Sequence, residues 1–375
     1  MAEKINVMFL YSSKGFGGIV RNISLIVNNL NKKYFNITVL SLANANDKDS
    51  NIQIDKNDAV IFQRINETGK LDLASIREIH SVIKKHNIDI LSCHGYKADF
   101  YGFIIRKFYR MDIKLITMAH GWVVVEPKAR LYYALDKFVM RYFDKIILVA
   151  KEMRKDLRGF GFPSPKIVII NNAIDPDSFN EPKNREMLRL KFGLKKEDTA
   201  IGFVGRLSKE KNVETALRAV KEVLDSGRRI KLLISGEGPQ RKRLTRIAER
   251  LGIAAYVNFT GYQKEIKNVY AVLDIHVSLS LKEGLPNSIL EAQSAGIPCI
   301  ATDIPGNRGI IKDGINGFLV KPKDHKALAS KIIVLLEDKE LADKFATAGR
   351  KIINDNFSLR ERIKRLENVY RRVRK

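Results

Sequence analysis

The sequence is short of cysteine, of acidic side chains and of long apolar runs, and each shortage excludes something. Only two cysteines, Cys93 and Cys299, occur among 375 residues, about 200 positions apart. No CxxC pair or histidine-rich segment accompanies them, so neither a disulfide framework nor a zinc site is written here, and a reducing compartment is the natural reading. Charged residues interrupt every apolar stretch before the roughly 18 residues that a membrane span needs. If a membrane is engaged, the protein lies on it. The opening MAEKINVMFLYSS lacks a basic stretch ahead of an apolar core and a small-residue cleavage site, and it reads as a first strand rather than a signal peptide. Acidic residues number 42 against 67 lysines and arginines, a net charge of +25. That surplus exceeds what solubility requires and implies an anionic partner: nucleic acid, anionic lipid or a phosphorylated small molecule. No helix-turn-helix, RNP-like or zinc-finger pattern is present, so nucleic acid is not expected as the partner.

What is present is the material of a large core. Hydrophobic residues make up 45%, with 24 Gly and 10 Pro, and this length predicts about two domains. Strand-length apolar runs alternate with segments of helical period, the signature of β-α units around a parallel sheet. A first series predicts strands at Ile5–Tyr11, Ile37–Leu40, Ala59–Phe62, Ile88–Ser92, Lys114–Met118, Lys145–Val149 and Lys166–Ile170, with helices near 19–31, 72–86, 97–110, 128–142 and 151–158. A second predicts strands at Ala200–Val204, Lys231–Ser235, Tyr256–Phe259, Ile275–Ser278, Pro298–Ala301 and Gly317–Val320. Between them NNAIDPDSFNEPKN, residues 171–184, reads as a linker. The fold class expected is α/β, two Rossmann-like doubly wound domains facing across a cleft, with ligand at the carboxyl ends of the strands. Leu328 to Lys375 reads as helical throughout, and the part from Leu359 holds eight basic and two acidic residues.

Chemistry concentrates in SLSLKEGLPNSILEAQSAGIPCIATDIPGNRGII. Glu283 is expected in a loop over a strand end, and Glu291 one turn into the following helix, with Pro286 suited to that helix's first turn. Backbone amides around Gly284, Leu285, Asn287 and Ser288 at the helix start attract an anion such as phosphate, and the two carboxylates grip hydroxyls. A nucleotide sugar fits that arrangement. The second signal is FVGRLSKEKN, where Gly205 ends a strand and Arg206 and Lys211 stand as two cations for a leaving diphosphate.

GRLSKEKN, SGEGPQ, GYQKEI, EGLPNSILE and GIPCIATDIPG together resemble the retaining glycosyltransferase family 4, glycosyl transferases group 1, of the GT-B fold. The resemblance covers essentially the whole chain and is most specific in the C-terminal half. It implies an N-terminal acceptor-binding domain over 1–172 and a nucleotide-sugar-binding domain over 173–358, with the last helix, about 359–375, packing back on the first domain. It further implies that Glu283 touches the donor sugar, Glu291 holds the ribose, and Arg206 and Lys211 bind the pyrophosphate. Gly236 and Gly238 then lie beside the nucleotide, and Tyr262 and Gln263 near the base. In GFGGIVRN, Gly17 and Gly18 match a phosphate-side loop, and His120 of MAHGW matches a histidine on the donor sugar. His94 and Gly95 form a similar pair without an assigned role. The linker has Ala173 where the family commonly has glycine.

Asp175-Pro176-Asp177 imitates a metal-binding Asp-x-Asp, but it sits in the linker and is read as no metal site, and no cofactor is expected. The expected function is retaining, metal-independent transfer of a sugar from a UDP-sugar, with GDP-sugar as runner-up, to a lipid-linked or envelope glycan on the inner face of the cytoplasmic membrane. The alternative is a soluble synthase acting on a small sugar or sugar phosphate. Residues 97–158 bear on that choice: 14 basic and 7 acidic side chains interleave with Tyr101, Phe103, Phe108, Tyr109, Tyr132, Tyr133, Phe138, Tyr142 and Phe143. They form either amphipathic helices with aromatic core faces or a patch for anionic headgroups.

Overall fold

The computed structural model describes residues 3–12, 18–44, 54, 60–69, 71–122, 127–179 and 184–374. Two compact units emerge, one of Met1–Asn172 with Arg360–Lys375, the other of Ala173–Leu359. In the first, seven parallel strands run β1 (Ile5–Ser12), β2 (Phe35–Asn44), β3 (Val60–Glu67), β4 (Ile90–His94), β5 (Lys114–Ala119), β6 (Lys145–Leu148) and β7 (Ile167–Ile169). Their order in the sheet is β3-β2-β1-β4-β5-β6-β7. The second unit has six parallel strands, β8 (Thr199–Val204), β9 (Ile230–Ser235), β10 (Val257–Gly261), β11 (Ile275–Ser278), β12 (Cys299–Thr302) and β13 (Gly317–Val320), ordered β10-β9-β8-β11-β12-β13.

Burial explains the sequence pattern of the strands. A parallel sheet is covered by helices on both faces, so its central strands are apolar without alternation. Val7 through Tyr11 of β1 are wholly buried. At the sheet edge β3 exposes Ile61 and Phe62. Strands β2 and β3 run well past the predicted Leu40 and Phe62, because their parallel pairing continues to Asn44 opposite Glu67 through backbone bonds that are indifferent to side-chain polarity. The predicted helix at 151–158 is a 3-10 segment, Lys151–Leu157, and the one at 128–142 is Pro127–Val139 followed by a 3-10 turn, Met140–Tyr142. The C-terminal stretch breaks into His325–Glu337, Lys339–Asn356 and Leu359–Arg374, the break falling where Asp338 caps the second of them through the amide of Leu341.

The terminal helix is amphipathic. Its charged face includes Arg365, bonded to the carbonyl of Ile169, and Arg374, paired with Glu3 at 2.6 Å. Its other face buries Leu366 and Tyr370, the Tyr370 ring standing edge-on to Phe9 and Phe35. At the linker, Ile174 exchanges backbone bonds with Phe357 and Leu359, so the two passages of chain run side by side there.

One polar feature inside the first unit is unexpected for two helices: a carboxyl pair. Asp99, on the helix Tyr96–Phe108, and Asp136, on Pro127–Val139, are both buried. Thr117 donates to Asp99 at 3.0 Å and the Trp122 indole to Asp136 at 2.8 Å. Two buried carboxylates cannot both ionise, and burial together with the charge of Asp136 pushes the Asp99 carboxyl well above its usual range. Asp99 therefore carries the shared proton and donates it to Asp136. A group protonated in the folded chain and ionised in the unfolded one makes stability fall as pH rises from about 4 toward the folded pKa. Asp99→Asn supplies a permanent donor in the same shape. We expect its melting temperature to match or exceed that of the wild type, by a margin that grows between about pH 5 and pH 8. A margin that shrinks over that range in thermal scans would contradict the shared proton.

Candidate active site

In the second unit the strand order reverses between β8 and β11, so the chain leaves these neighbours in opposite directions and opens a crevice at their carboxyl ends. The segment after β8 passes Gly205 and Arg206 and makes a 3-10 turn, Lys209–Lys211. The segment after β11 carries Ser280 to Pro286 and enters the helix Asn287–Ser294. Two contacts join them: the ammonium of Lys211 pairs with Oε1 of Glu283, and the amide of Leu281 donates to the carbonyl of Glu210 at 2.8 Å. The same Oε1 accepts from Ser280 Oγ at 2.7 Å.

Behind Glu283 stands a set of small polar residues that sequence reasoning did not single out. Thr302, at the end of β12, donates to the carbonyl of Ser280 at 2.5 Å, and Asn307 donates to the carbonyl of Thr302 at 2.7 Å. A Cβ on Gly306 would lie 2.6 Å from the carbonyl oxygens of both Glu283 and Gly284. Gly306 thus admits the Glu283 loop by having no side chain. Its place within GIPCIATDIPG was the only available signal.

The glycines of SGEGPQ have a similar cause. Gly236 has φ +135°, and a Cβ there would sit 2.0 Å from the carbonyl oxygen of Gly205. The amide of Leu207 donates to the carbonyl of Glu237, and that of Gln240 to Leu207, at 2.9 Å each, so the loops after β8 and β9 are stitched together with Gly238 against Leu207. The loop after β10 joins them, Gly236 donating to the carbonyl of Gly261 at 2.8 Å. There Gln263 is turned back on the carbonyl of Thr260, while Tyr262 is exposed.

The other expected residues fall as follows. Arg206 is exposed and forms no ion pair among the described residues. Gly284 and Leu285 are buried beneath the loop, and Pro286 immediately precedes the helix instead of occupying its first turn. Asn287 and Ser288 open that helix, no side chain caps it, and Glu291 lies one turn in, 2% exposed. Asp175 accepts from the amide of Asp177 in the turn that leads into Pro176–Phe179.

In the first unit, His120 follows β5 and His94 ends β4. Their rings stack with centroids 5.4 Å apart, and His94 Nδ1 lies 3.1 Å from His120 Nε2. Burial, reinforced by the charge of Arg362, pushes His120 down to about 3 and His94 well below the usual histidine range. Both imidazoles are neutral at physiological pH. His94 thereby acquires the neighbour that its sequence did not reveal. Gly18 is the exposed first residue of the helix Gly18–Asn29, and Gly17 lies outside the described residues.

Similarity to known proteins agrees with this arrangement. The family model described as Glycosyl transferases group 1 matches residues 184–352, and that described as Glycosyltransferase Family 4 matches residues 16–178. The chain belongs to glycosyltransferase family 4. Among curated proteins, the UDP-Gal:alpha-D-GlcNAc-diphosphoundecaprenol alpha-1,3-galactosyltransferase of Escherichia coli is 26% identical over 80% of this chain and 79% of its own. N-acetyl-alpha-D-glucosaminyl L-malate synthase of Bacillus anthracis is 25% identical over 80% and 78%. Among solved structures, Anabaena HepE in complex with UDP-glucose superimposes with a TM-score of 0.84 at 20% identity, covering 97% of this chain and 99% of that one. The fold of this glycosyltransferase is therefore GT-B.

In this glycosyltransferase the Glu283 backbone rests on Gly306. Gly306→Ala should push that backbone by several tenths of an ångström, and misplacement of this order costs about ten- to a hundredfold in kcat. The expected result is a loss of that size in steady-state transfer with the melting temperature little changed. Wild-type kcat in a folded Gly306→Ala would show that the loop yields without consequence.

Proposed function

We propose that this glycosyltransferase moves a sugar, with retention of anomeric configuration, from a UDP-sugar to a lipid-linked or envelope glycan at the cytoplasmic face of the membrane. The observation that carries the donor half is the convergence of Lys211, Glu283 and Arg206 on the carboxyl ends of β8 and β11, beside an uncapped helix start. Arg206, Lys211 and the amides of Asn287 and Ser288 supply positive potential to a diphosphate, which is both its binding site and the stabilisation its departure needs. In the free protein Glu283 occupies Lys211. When a diphosphate takes over the ammonium, the Glu283 carboxylate is released toward the sugar hydroxyls, still held by Ser280. Glu291, fixed by burial before the donor arrives, is assigned to the ribose, and His120 to a hydroxyl of the donor sugar. Gly236, Gly238, Tyr262 and Gln263 border the nucleotide. No carboxylate is placed as a nucleophile, so the reading is front-face transfer in which the leaving phosphate takes the proton of the acceptor hydroxyl, without a metal ion. UDP is favoured because HepE was solved with UDP-glucose and the Escherichia coli relative is named for UDP-Gal.

Three measurements test the donor site together. Glu283→Gln should abolish transfer while calorimetry with UDP shows near-wild-type affinity. Glu291→Ala should weaken UDP binding, by about three- to a hundredfold for a buried charged hydrogen-bonding group. Transfer should persist in EDTA. The opposite pattern of affinities reverses the two roles, and loss in chelator restored by Mg²⁺ returns attention to Asp175 and Asp177.

The acceptor half rests on the surface of the helices Tyr96–Phe108 and Pro127–Val139. Tyr101 and Phe143 belong to the core, but Phe108, Leu131, Leu135, Phe138 and Tyr142 are exposed. Lys107, Arg110 and Arg130 are exposed with them, whereas Arg106 is taken by Asp144 at 2.6 Å. Aromatic and leucine side chains ringed by cations suit an anionic headgroup layer. The protein should bind vesicles containing anionic lipid, release as salt rises and ignore neutral vesicles, and Phe108→Ser with Leu131→Ser should weaken docking. Binding to neither vesicle at low salt would favour the soluble synthase, a reading that the malate-named relative keeps in play.

A further inference from the structure

His120 does not stand alone. His94 Nδ1 lies 3.1 Å from its Nε2, Ser92 Oγ lies 3.3 Å from His94 Nε2, and the Tyr370 hydroxyl lies 3.4 Å from Ser92 Oγ. Ser92, His94 and Tyr370 are all fully buried. The result is a chain of polar groups running from the terminal helix, through β4, to the end of β5.

The direction of hydrogen-bond donation along this chain is fixed by its buried end. Tyr370 has Ser92 as its one hydrogen-bond partner among the described residues, and the charge beside it is the guanidinium of Arg362. A guanidinium only donates, so it offers the phenol hydrogen no acceptor. Tyr370 therefore donates to Ser92, and Ser92 donates to His94 Nε2. A neutral His94 then carries its hydrogen on Nδ1 and gives it to His120 Nε2, and His120 is left with its hydrogen on Nδ1. The reverse order would leave the Tyr370 or the Ser92 hydroxyl without an acceptor inside the fold, the unfavourable case of a buried donor with no partner. His120 Nδ1 makes no hydrogen bond among the described residues, and the residue is part-buried.

We infer that Tyr370, Ser92 and His94 are positioning residues that lock His120 in the Nδ1–H tautomer, so that it presents a hydrogen-bond donor to an oxygen of the donor sugar. The functional half of this inference rests on the assignment of His120 to the sugar proposed above. The tautomer half does not. Tyr370→Phe is the decisive variant, because it keeps the ring against Phe9 and Phe35 and removes only the hydroxyl. Ser92→Ala interrupts the chain one link later.

The experiment is nitrogen-resolved NMR of the full protein labelled at histidine, alongside donor kinetics. The expected wild-type spectrum shows His94 and His120 each as a single Nδ1–H tautomer. In Tyr370→Phe and in Ser92→Ala the His120 signals should become those of a tautomer mixture, with kcat/KM for the donor down about three- to tenfold, the range of one hydrogen bond. An Nε2–H tautomer at His120 in the wild type overturns the inference. So does a rate loss in both variants with tautomers unchanged, which would mark a purely structural role. Tautomer shifts with unchanged kcat/KM would leave the network standing and overturn the link from His120 to the sugar.

Discussion

The ion pair between Lys211 and Glu283, 72 positions apart, is the interaction on which the chemistry of the second unit depends. It forms only because β8 and β11 are neighbours at the point where the strand order reverses, bringing two loops to one crevice. Both partners are largely withdrawn from water, so the pair sacrifices hydration that only good geometry restores. Ser280 supplies that geometry from one side and the Leu281–Glu210 backbone bond from the other. A cation held in this way is ready for a diphosphate, whose greater charge outcompetes a single carboxylate. Under the function proposed above, that exchange frees Glu283 when the leaving group is in place and not before.

The constraint extends outward through backbone contacts. Gly306 lets the Glu283 loop settle on β12, and Gly236 lets the β9 loop settle on Gly205. Glycine at these positions is a matter of distance between backbones, because any side chain would displace a carbonyl at the crevice. The site is thus built on strand ends and fixed loops, which hold reacting groups more closely than free loops do.

Much of this was legible in the sequence, for reasons that differ by residue. Glu283, Glu291, Asn287 and Ser288 lie within one strand-loop-helix unit, so their spacing carries their geometry. Lys211 was legible as a cation after a strand, but its pairing with Glu283, 72 positions away, was not. The His94 partnership was not legible, because Tyr370 meets Ser92 across 278 positions and nothing local marks either hydroxyl. Asp99 and Asp136 were hidden for the opposite reason: an aspartate on a helix is ordinarily a solvated residue, and only the packing of two helices makes these two share a proton. Boundaries failed where backbone pairing outlasted the apolar pattern, as in β2 and β3.

The excess of positive charge also has to be divided before it is interpreted. Part of it is internal bookkeeping of the fold: Arg189 ties its helix to the carbonyls of Asp198 and Val272, Arg106 holds Asp144, and Arg229 meets Asp198. Arg362 is buried outright, and its charge adds to the burial that keeps His94 and His120 neutral. Among the cations available to an anionic partner are Arg206 at the crevice, and Lys107, Arg110 and Arg130 beside exposed Phe108 and Leu131. The first suits a diphosphate by its position at a strand end. The others suit a headgroup layer because apolar side chains stand among them, and isolated cations on a polar surface would not insert. Under the function proposed above, net charge alone therefore understates how specific the anionic partners are, since two different surfaces suit them for two different reasons.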